Sequence, residues 1–148
     1  GQLGQGHFEK VERITSIPFF VKNGIKIKEI ECGAYYVVMI DYDGKVWVVG
    51  HNEYGECCDE SLNNVNEPSE LEEFRGKVEI VRCGHYHVYI KCTGNKHYLW
   101  GINWDNQCLV CDEDVGEVAK PNEIKLKGKA IRGIFLGFDT TYIIVSDD

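Results

Sequence analysis

Cys108-Leu109-Val110-Cys111 has the spacing of a zinc knuckle, and Cys57-Cys58 stands one 51-residue step earlier. Zinc wants four ligands converging tetrahedrally, and a Cys-x2-Cys pair is a common half of such a site. The same thiols also pack as small apolar groups, which is the commoner use of an unpaired Cys. A redox role for the pair calls for a thioredoxin-like βαβ setting, and the chain offers none. The cysteine count is seven, an odd number, and no signal segment is visible in the sequence. Packing thiols in a reduced, intracellular compartment are therefore expected, with no metal and no cofactor.

Two histidines, His85 and His87, lie two apart and share one face of any strand that carries them. Further ligands at a fixed spacing are missing, so a structural role is expected for both. His7, His51 and His97 stand isolated. Acidic residues crowd two stretches: Glu56, Asp59, Glu60, Glu67, Glu70, Glu72 and Glu73, then Asp105, Asp112, Glu113, Asp114 and Glu117. Neither has the Asp-x-Asp-x-Asp-Gly order of a calcium loop. Either they are solvated loops, or they form a shared rim (Glu70, Glu72, Glu73, Trp104, Asp112, Glu113 and Asp114) that attracts a basic protein partner. Of the three tryptophans, Trp47 and Trp100 fall in strand-like runs and are expected to fill space between layers. Trp104, in a loop, is the better candidate for an exposed contact.

No hydrolase, phosphate-loop or zincin signature appears, so no catalytic residue is expected and the chain does not read as an enzyme. The net charge of -8 disfavours nucleic acid and anionic membrane surfaces alike. Hydrophobic residues make up 43% and charged ones 27%, the balance of a folded chain rather than a disordered one. Its 148 residues suffice for one domain.

The positions of these residues are fixed by a repeat. Lys26 to Gly33 returns as Lys77 to Gly84 and, more loosely, as Ala130 to Gly137. Gly33, Gly84 and Gly137 are 51 and 53 residues apart, and Gly50-His51-Asn52 recurs as Gly101-Ile102-Asn103. Pro18, Pro68 and Pro121 keep nearly the same step. Each unit reads as β: Lys26 to Cys32, Tyr35 to Ile40, Lys45 to Val49, and a short fourth strand over Ser69 to Phe74. Asp43-Gly44 and Thr93-Gly94-Asn95 supply hairpin turns. No stretch has a 3.6-residue apolar period of helical length. Four short strands in a unit of this size match a propeller blade.

Cys83-Gly84-His85-Tyr86-His87, Tyr98-Leu99-Trp100-Gly101-Ile102-Asn103 and Gly1-Gln2-Leu3-Gly4 together resemble the regulator of chromosome condensation repeat. Tyr36 and Thr140 stand where that pattern has the His matched by His87, and Cys57-Cys58 and Cys108-Leu109 depart from its closing turn. The resemblance implies an all-β fold: a partial β-propeller with two complete four-stranded blades plus parts of flanking blades. The units run over approximately 1–25 (partial), 26–76, 77–129 and 130–148 (partial). Its structural positions are Cys32, Gly33, Gly50, Asn52, Cys83, Gly84, His87, Trp100, Gly101, Asn103 and Gly137. The His at position 87 is expected to hold neighbouring strands by hydrogen bonds. Because such rings have seven blades, the chain reads as a piece of a longer one, in contact with its remaining blades or with itself.

The function expected is a protein–protein interaction scaffold, cytoplasmic or nuclear. The alternative is guanine-nucleotide exchange on a small GTPase, the activity of the family's founding member; no inserted β-wedge like that member's is seen between Gly33 and Ser146.

Overall fold

The computed structural model describes residues 1–110 and 115–147. Ten strands form two antiparallel four-stranded sheets and one two-stranded sheet, all in chain order. The first sheet comprises β1 (Ile27–Cys32), β2 (Tyr36–Asp41), β3 (Val46–Gly50) and β4 (Val65–Glu70). The second comprises β5 (Val78–Cys83), β6 (His87–Cys92), β7 (Lys96–Ile102) and β8 (Glu117–Glu123), and β9 (Lys129–Leu136) pairs with β10 (Thr141–Asp147). This is a partial β-propeller, with two complete blades and part of a third. Strand β1 lies against β5, and β5 against β9, which places these first strands nearest the axis.

Burial on both faces explains the dense apolar runs of β2 and β3. Side chains alternate along a strand, so Tyr36, Val38, Ile40, Val46 and Val48 turn one way and Met39, Trp47 and Val49 the other. The first set meets Val81, Val88, Ile90 and Trp100 of the second sheet. The far face of that sheet, with Tyr89 and Leu99, meets Ile131 and Ile134 of β9. Trp100 therefore fills space between two sheets, as expected. Trp47 does not: it packs against Phe19 and Phe20 on the opposite face of the first sheet.

Those phenylalanines belong to α1 (Pro18–Asn23), a helix the sequence pattern did not suggest. Pro18 opens it, where a missing N–H costs nothing, and Gly24 closes it at φ 64°. Six residues are too few to display a helical period. The fourth strand is also displaced. It was expected over Ser69 to Phe74, but β4 ends at Glu70 and Glu72–Phe74 forms a 3-10 turn. Leu71 and Phe74, three apart, both turn inward, and Phe74 stacks on Trp100 at 5.7 Å and 12°. Pro68 and Pro121 sit in β4 and β8, the outermost strands of their sheets, where the lost donor is tolerated.

Candidate interaction face

Repeat-equivalent glycines make equivalent bonds. The N–H groups of Gly33, Gly84 and Gly137 donate to the carbonyls of Tyr36, His87 and Thr140 at 3.0, 2.8 and 2.7 Å. A Cβ at Gly33 or Gly84 would overlap the ring of Tyr36 or His87, whereas at Gly137 the nearest atom, of Thr140, would be 3.6 Å away. Gly50 and Gly101 are different in kind. Their φ values of 121° and 109° are disfavoured for L side chains, and a Cβ would strike the backbone oxygens of Tyr35 and Tyr86.

One residue beyond each glycine pair, the chain leaves the sheet at the β3–β4 and β7–β8 loops. Asn52 and Asn103, both buried, hold these loops from within. Asn52 Oδ1 accepts the N–H of Cys57 at 2.8 Å, and Asn103 Oδ1 accepts that of Cys108 at 3.0 Å. Their amide groups donate onward, Asn52 to Asp59 and Asn103 to Val110 and Val115. Glu56 and Gln107 repeat one another: each side-chain oxygen accepts a backbone N–H two residues back, from Tyr54 and Asp105, both at 3.0 Å. Glu56 differs by its charge. It is fully buried, its pKa is raised by that burial, and the His51 Nδ1 at 2.7 Å opposes the rise. Trp100 Nε1 donates to the Glu56 carbonyl at 2.9 Å, fastening the second sheet to the first sheet's loop.

His87 does not do what the resemblance implies. Both its ring nitrogens are buried without a hydrogen-bond partner among the described residues. Burial holds its pKa down to about 4, with Asp139 and the Thr140 backbone pulling the other way. The strand-joining bond is made by Tyr36 instead, whose hydroxyl donates toward the carbonyls of His87 at 2.7 Å and Gly84 at 3.1 Å. Neither is His51 isolated, as the sequence suggested. It sits between Glu56 and Glu53 and among three tyrosine rings.

Among the described residues, the acidic ones expected in the rim lie at two ends of the blades. Glu70 pairs across from Trp47 and Val65 from Gly50, so β4 runs from one end of the blade to the other. Glu70, Glu72 and Glu73 lie at the end carrying the β2–β3 turn, where Gly76 bonds to Gly44. Trp104 and Asp105 follow β7 at the opposite end, with the loop that holds Glu53 and Glu56. Asp112, Glu113 and Asp114 lie outside the described residues, as does Cys111. Of the remaining knuckle thiols, Cys57 and Cys108 are buried, and burial raises both, Cys108 to about 12. Cys32 is exposed and Cys83 half-buried on the equivalent strand position. Among the described residues no three His, Cys, Asp or Glu side chains lie together as a metal site would require. None of the described helices is long and apolar enough to cross a membrane.

What the loop end does assemble is a run of aromatic rings. Tyr35 and Tyr86 occupy the β1–β2 and β5–β6 turns, and His51 and Tyr54 come from the β3–β4 loop. The Tyr86 centroid lies 5.2 Å from His51, 5.1 Å from Tyr54 and 6.3 Å from Tyr35. Tyr54 meets Trp104 at 5.2 Å and 77°. Trp104 is 65% exposed, yet its indole rests on Gly116, where a Cβ would come within 2.8 Å of Nε1. Consecutive turns are tied by backbone bonds from Ala34 to His85 and from His85 to Phe138. Sequence reasoning passed over Tyr35, Tyr54 and Tyr86. The signal for two of them was present: Tyr35 and Tyr86 each follow the repeated Cys-Gly by the same step.

The regulator of chromosome condensation (RCC1) repeat model matches residues 43–90, and a second RCC1 repeat model matches residues 27–56. The chain is similar to an RCC1 repeat-containing protein of Dictyostelium discoideum, 28% identical over 120 residues, covering 79% of this chain and 24% of that protein. It is also similar to the secretion-regulating guanine nucleotide exchange factor of Mus musculus, 29% identical over 102 residues, 68% of this chain and 22% of that one. In fold it resembles a chain in the crystal structure of Kap60 bound to yeast RCC1 (Prp20). The TM-score is 0.67 with 23% identity, covering 82% of this chain and 28% of that chain. The chain thus spans about a quarter of the length of these relatives.

Proposed function

Because the chain belongs to the regulator of chromosome condensation (RCC1) repeat family, we propose that it is part of a protein-interaction scaffold built from propeller repeats. The units are taken as 26–76 and 77–129, with partial units over 1–25 and 130–148. One observation carries this reading. The sheets spend their large side chains on each other, while the loop end keeps a mostly exposed Trp104 braced on Gly116. A large aromatic held rigidly in water is costly unless something covers it, and Trp and Tyr are the side chains that anchor protein interfaces. The partner is a protein, and the chain's -8 charge favours a basic one. A cytoplasmic or nuclear setting accords with seven cysteines, none paired among those described.

Guanine-nucleotide exchange on a small GTPase is the second reading, supported by the similarity to a protein named for that activity. Nucleotide release from purified small GTPases, measured with the full chain, separates the two. A rate that stays at its intrinsic value accords with the scaffold. Acceleration that saturates with added chain replaces it with exchange.

A further inference from the structure

We propose that the rings of Tyr35, His51, Tyr54, Tyr86 and Trp104, with Glu53 beside them, form a seat for an arginine side chain of the partner protein. The inference rests on the scaffold reading and adds the chemistry of what is held.

Three features point to a guanidinium. First, the five rings come from four loops, His51 and Tyr54 sharing one, and stand at tilted or edge-on angles, from 34° between Tyr35 and Tyr86 to 77° between Tyr54 and Trp104. Packed on one another, they leave Tyr35 and Trp104, 52% and 65% exposed, with ring surface open to a partner, and a planar cation stacks on such a surface better than a compact ammonium does. Second, the site is provided with negative charge. The Glu53 carboxylate is 63% exposed and lies 3.7 Å from His51 Nε2, beyond hydrogen-bond reach. Third, the chain does not fill the seat itself. Among the described residues the one cation over a ring is Lys45, which covers Trp47 on a different surface. Guanidinium on rings, with one fork to Glu53, satisfies both halves of the seat.

The test is calorimetric titration of the full chain with a short peptide of alternating glycine and arginine. The lysine peptide and the uncharged citrulline peptide serve as comparisons. The arginine peptide is expected to bind about tenfold more tightly than the lysine one, and the citrulline peptide, which keeps shape but not charge, to show no saturable binding. Trp104→Ala is expected to weaken the arginine peptide about tenfold and Trp104→Phe to restore most of it, while Glu53→Gln weakens it about threefold and flattens its salt dependence. Thermal melting of each variant shows that the fold is kept, as the exposure of both residues predicts. Equal binding of the citrulline peptide, or undiminished binding to Trp104→Ala, overturns the proposal. If instead reversal of Glu70, Glu72 and Glu73 to Lys abolishes binding, the cation is held at the other end of the blades. In that case this seat is wrong while the scaffold reading stands; accelerated nucleotide release is what removes the latter.

Discussion

The hydroxyl of Tyr36 stands 2.7 Å from the carbonyl oxygen of His87, so one side chain of the first sheet is bonded to the turn that opens the second. At the same place one sheet later, His87 has, among the described residues, a partner for neither ring nitrogen. The two blade junctions are thus secured differently. The first uses a buried hydrogen bond from a hydroxyl, while at the second a buried imidazole stands in the same place, its pKa held down by burial.

Tyr36→Phe keeps the ring against Gly33 and removes the hydroxyl. The carbonyls of Gly84 and His87 then lose that donor; His87 keeps the Gly84 N–H, so it is the Gly84 carbonyl that is left exposed to the loss. The expected loss is about 1–3 kcal/mol, the cost of leaving a buried polar group unsatisfied. Urea unfolding of the full chain checks it; a midpoint equal to wild type shows that this hydroxyl does not join the blades.

His87 makes stability depend on acidity. Its ring takes up a proton near 6.5 in the unfolded chain but near 4 in the fold, because burial disfavours the cation. The contribution of the neutral ring is therefore intact above 6.5 and falls as pH drops from 6.5 to 4. The slope is about 1.4 kcal/mol per pH unit, levelling off once the folded ring also protonates. Unfolding midpoints of wild type and His87→Gln at several pH values in that window should converge as the pH falls. Parallel curves would show that this ring titrates normally.

Glu56 works in the opposite sense. Burial raises its pKa above the ordinary 4.5, so the folded chain holds this proton more tightly than the unfolded one. Its contribution is present below the ordinary value and is lost as pH rises through the raised one. Gln107 shows that the same loop position accepts an amide. Glu56→Gln should therefore gain stability relative to wild type from pH 4 to pH 7, as read by thermal melts. A variant that loses ground over that range would show that the His51 bond outweighs the desolvation.

Gly101 and Gly94 separate strain from crowding. Both have positive φ, 109° and 74°, but a Cβ at Gly101 meets the Tyr86 carbonyl while at Gly94 it meets nothing. Gly94→Ala is expected to cost about 1 kcal/mol from backbone conformation alone. Gly101→Ala carries that cost and the steric one together, and should unfold the chain at clearly lower denaturant. Equal midpoints for the two variants would show that β7 can shift away from Tyr86.

Much of this architecture was legible because it is periodic. Gly33 and Gly84 repeat for a reason visible in one dimension: each faces a ring three residues on, and the ring's bulk forbids a Cβ. The all-β reading followed from β2 and β3, whose alternate residues face two different cores. What the sequence concealed depends on neighbours in space. Pro18–Asn23 is a helix only because Phe19 and Phe20 find Trp47, and the 3-10 turn over Glu72–Phe74 exists because Phe74 finds Trp100. The acidic stretch looked continuous from Glu56 to Glu73, but β4 carries its two halves to opposite ends of the blade. The aromatic seat was invisible for the same reason. Its rings come from four separate loops, and only the stacking of one blade on the next brings them within 7 Å.

The shrinking side chain opposite each turn glycine has a consequence for how such repeats can diverge. While a ring stands at Tyr36 or His87, any path that passes through alanine at Gly33 or Gly84 is sterically closed. Opposite Gly137 the ring has become Thr140, and an added methyl there would find its nearest neighbour 3.6 Å away. The order of change is therefore fixed by geometry: the ring must be lost first, and only then can the glycine follow. In this chain the third unit stands one substitution further along that route than the first two, with its glycine still in place but no longer required.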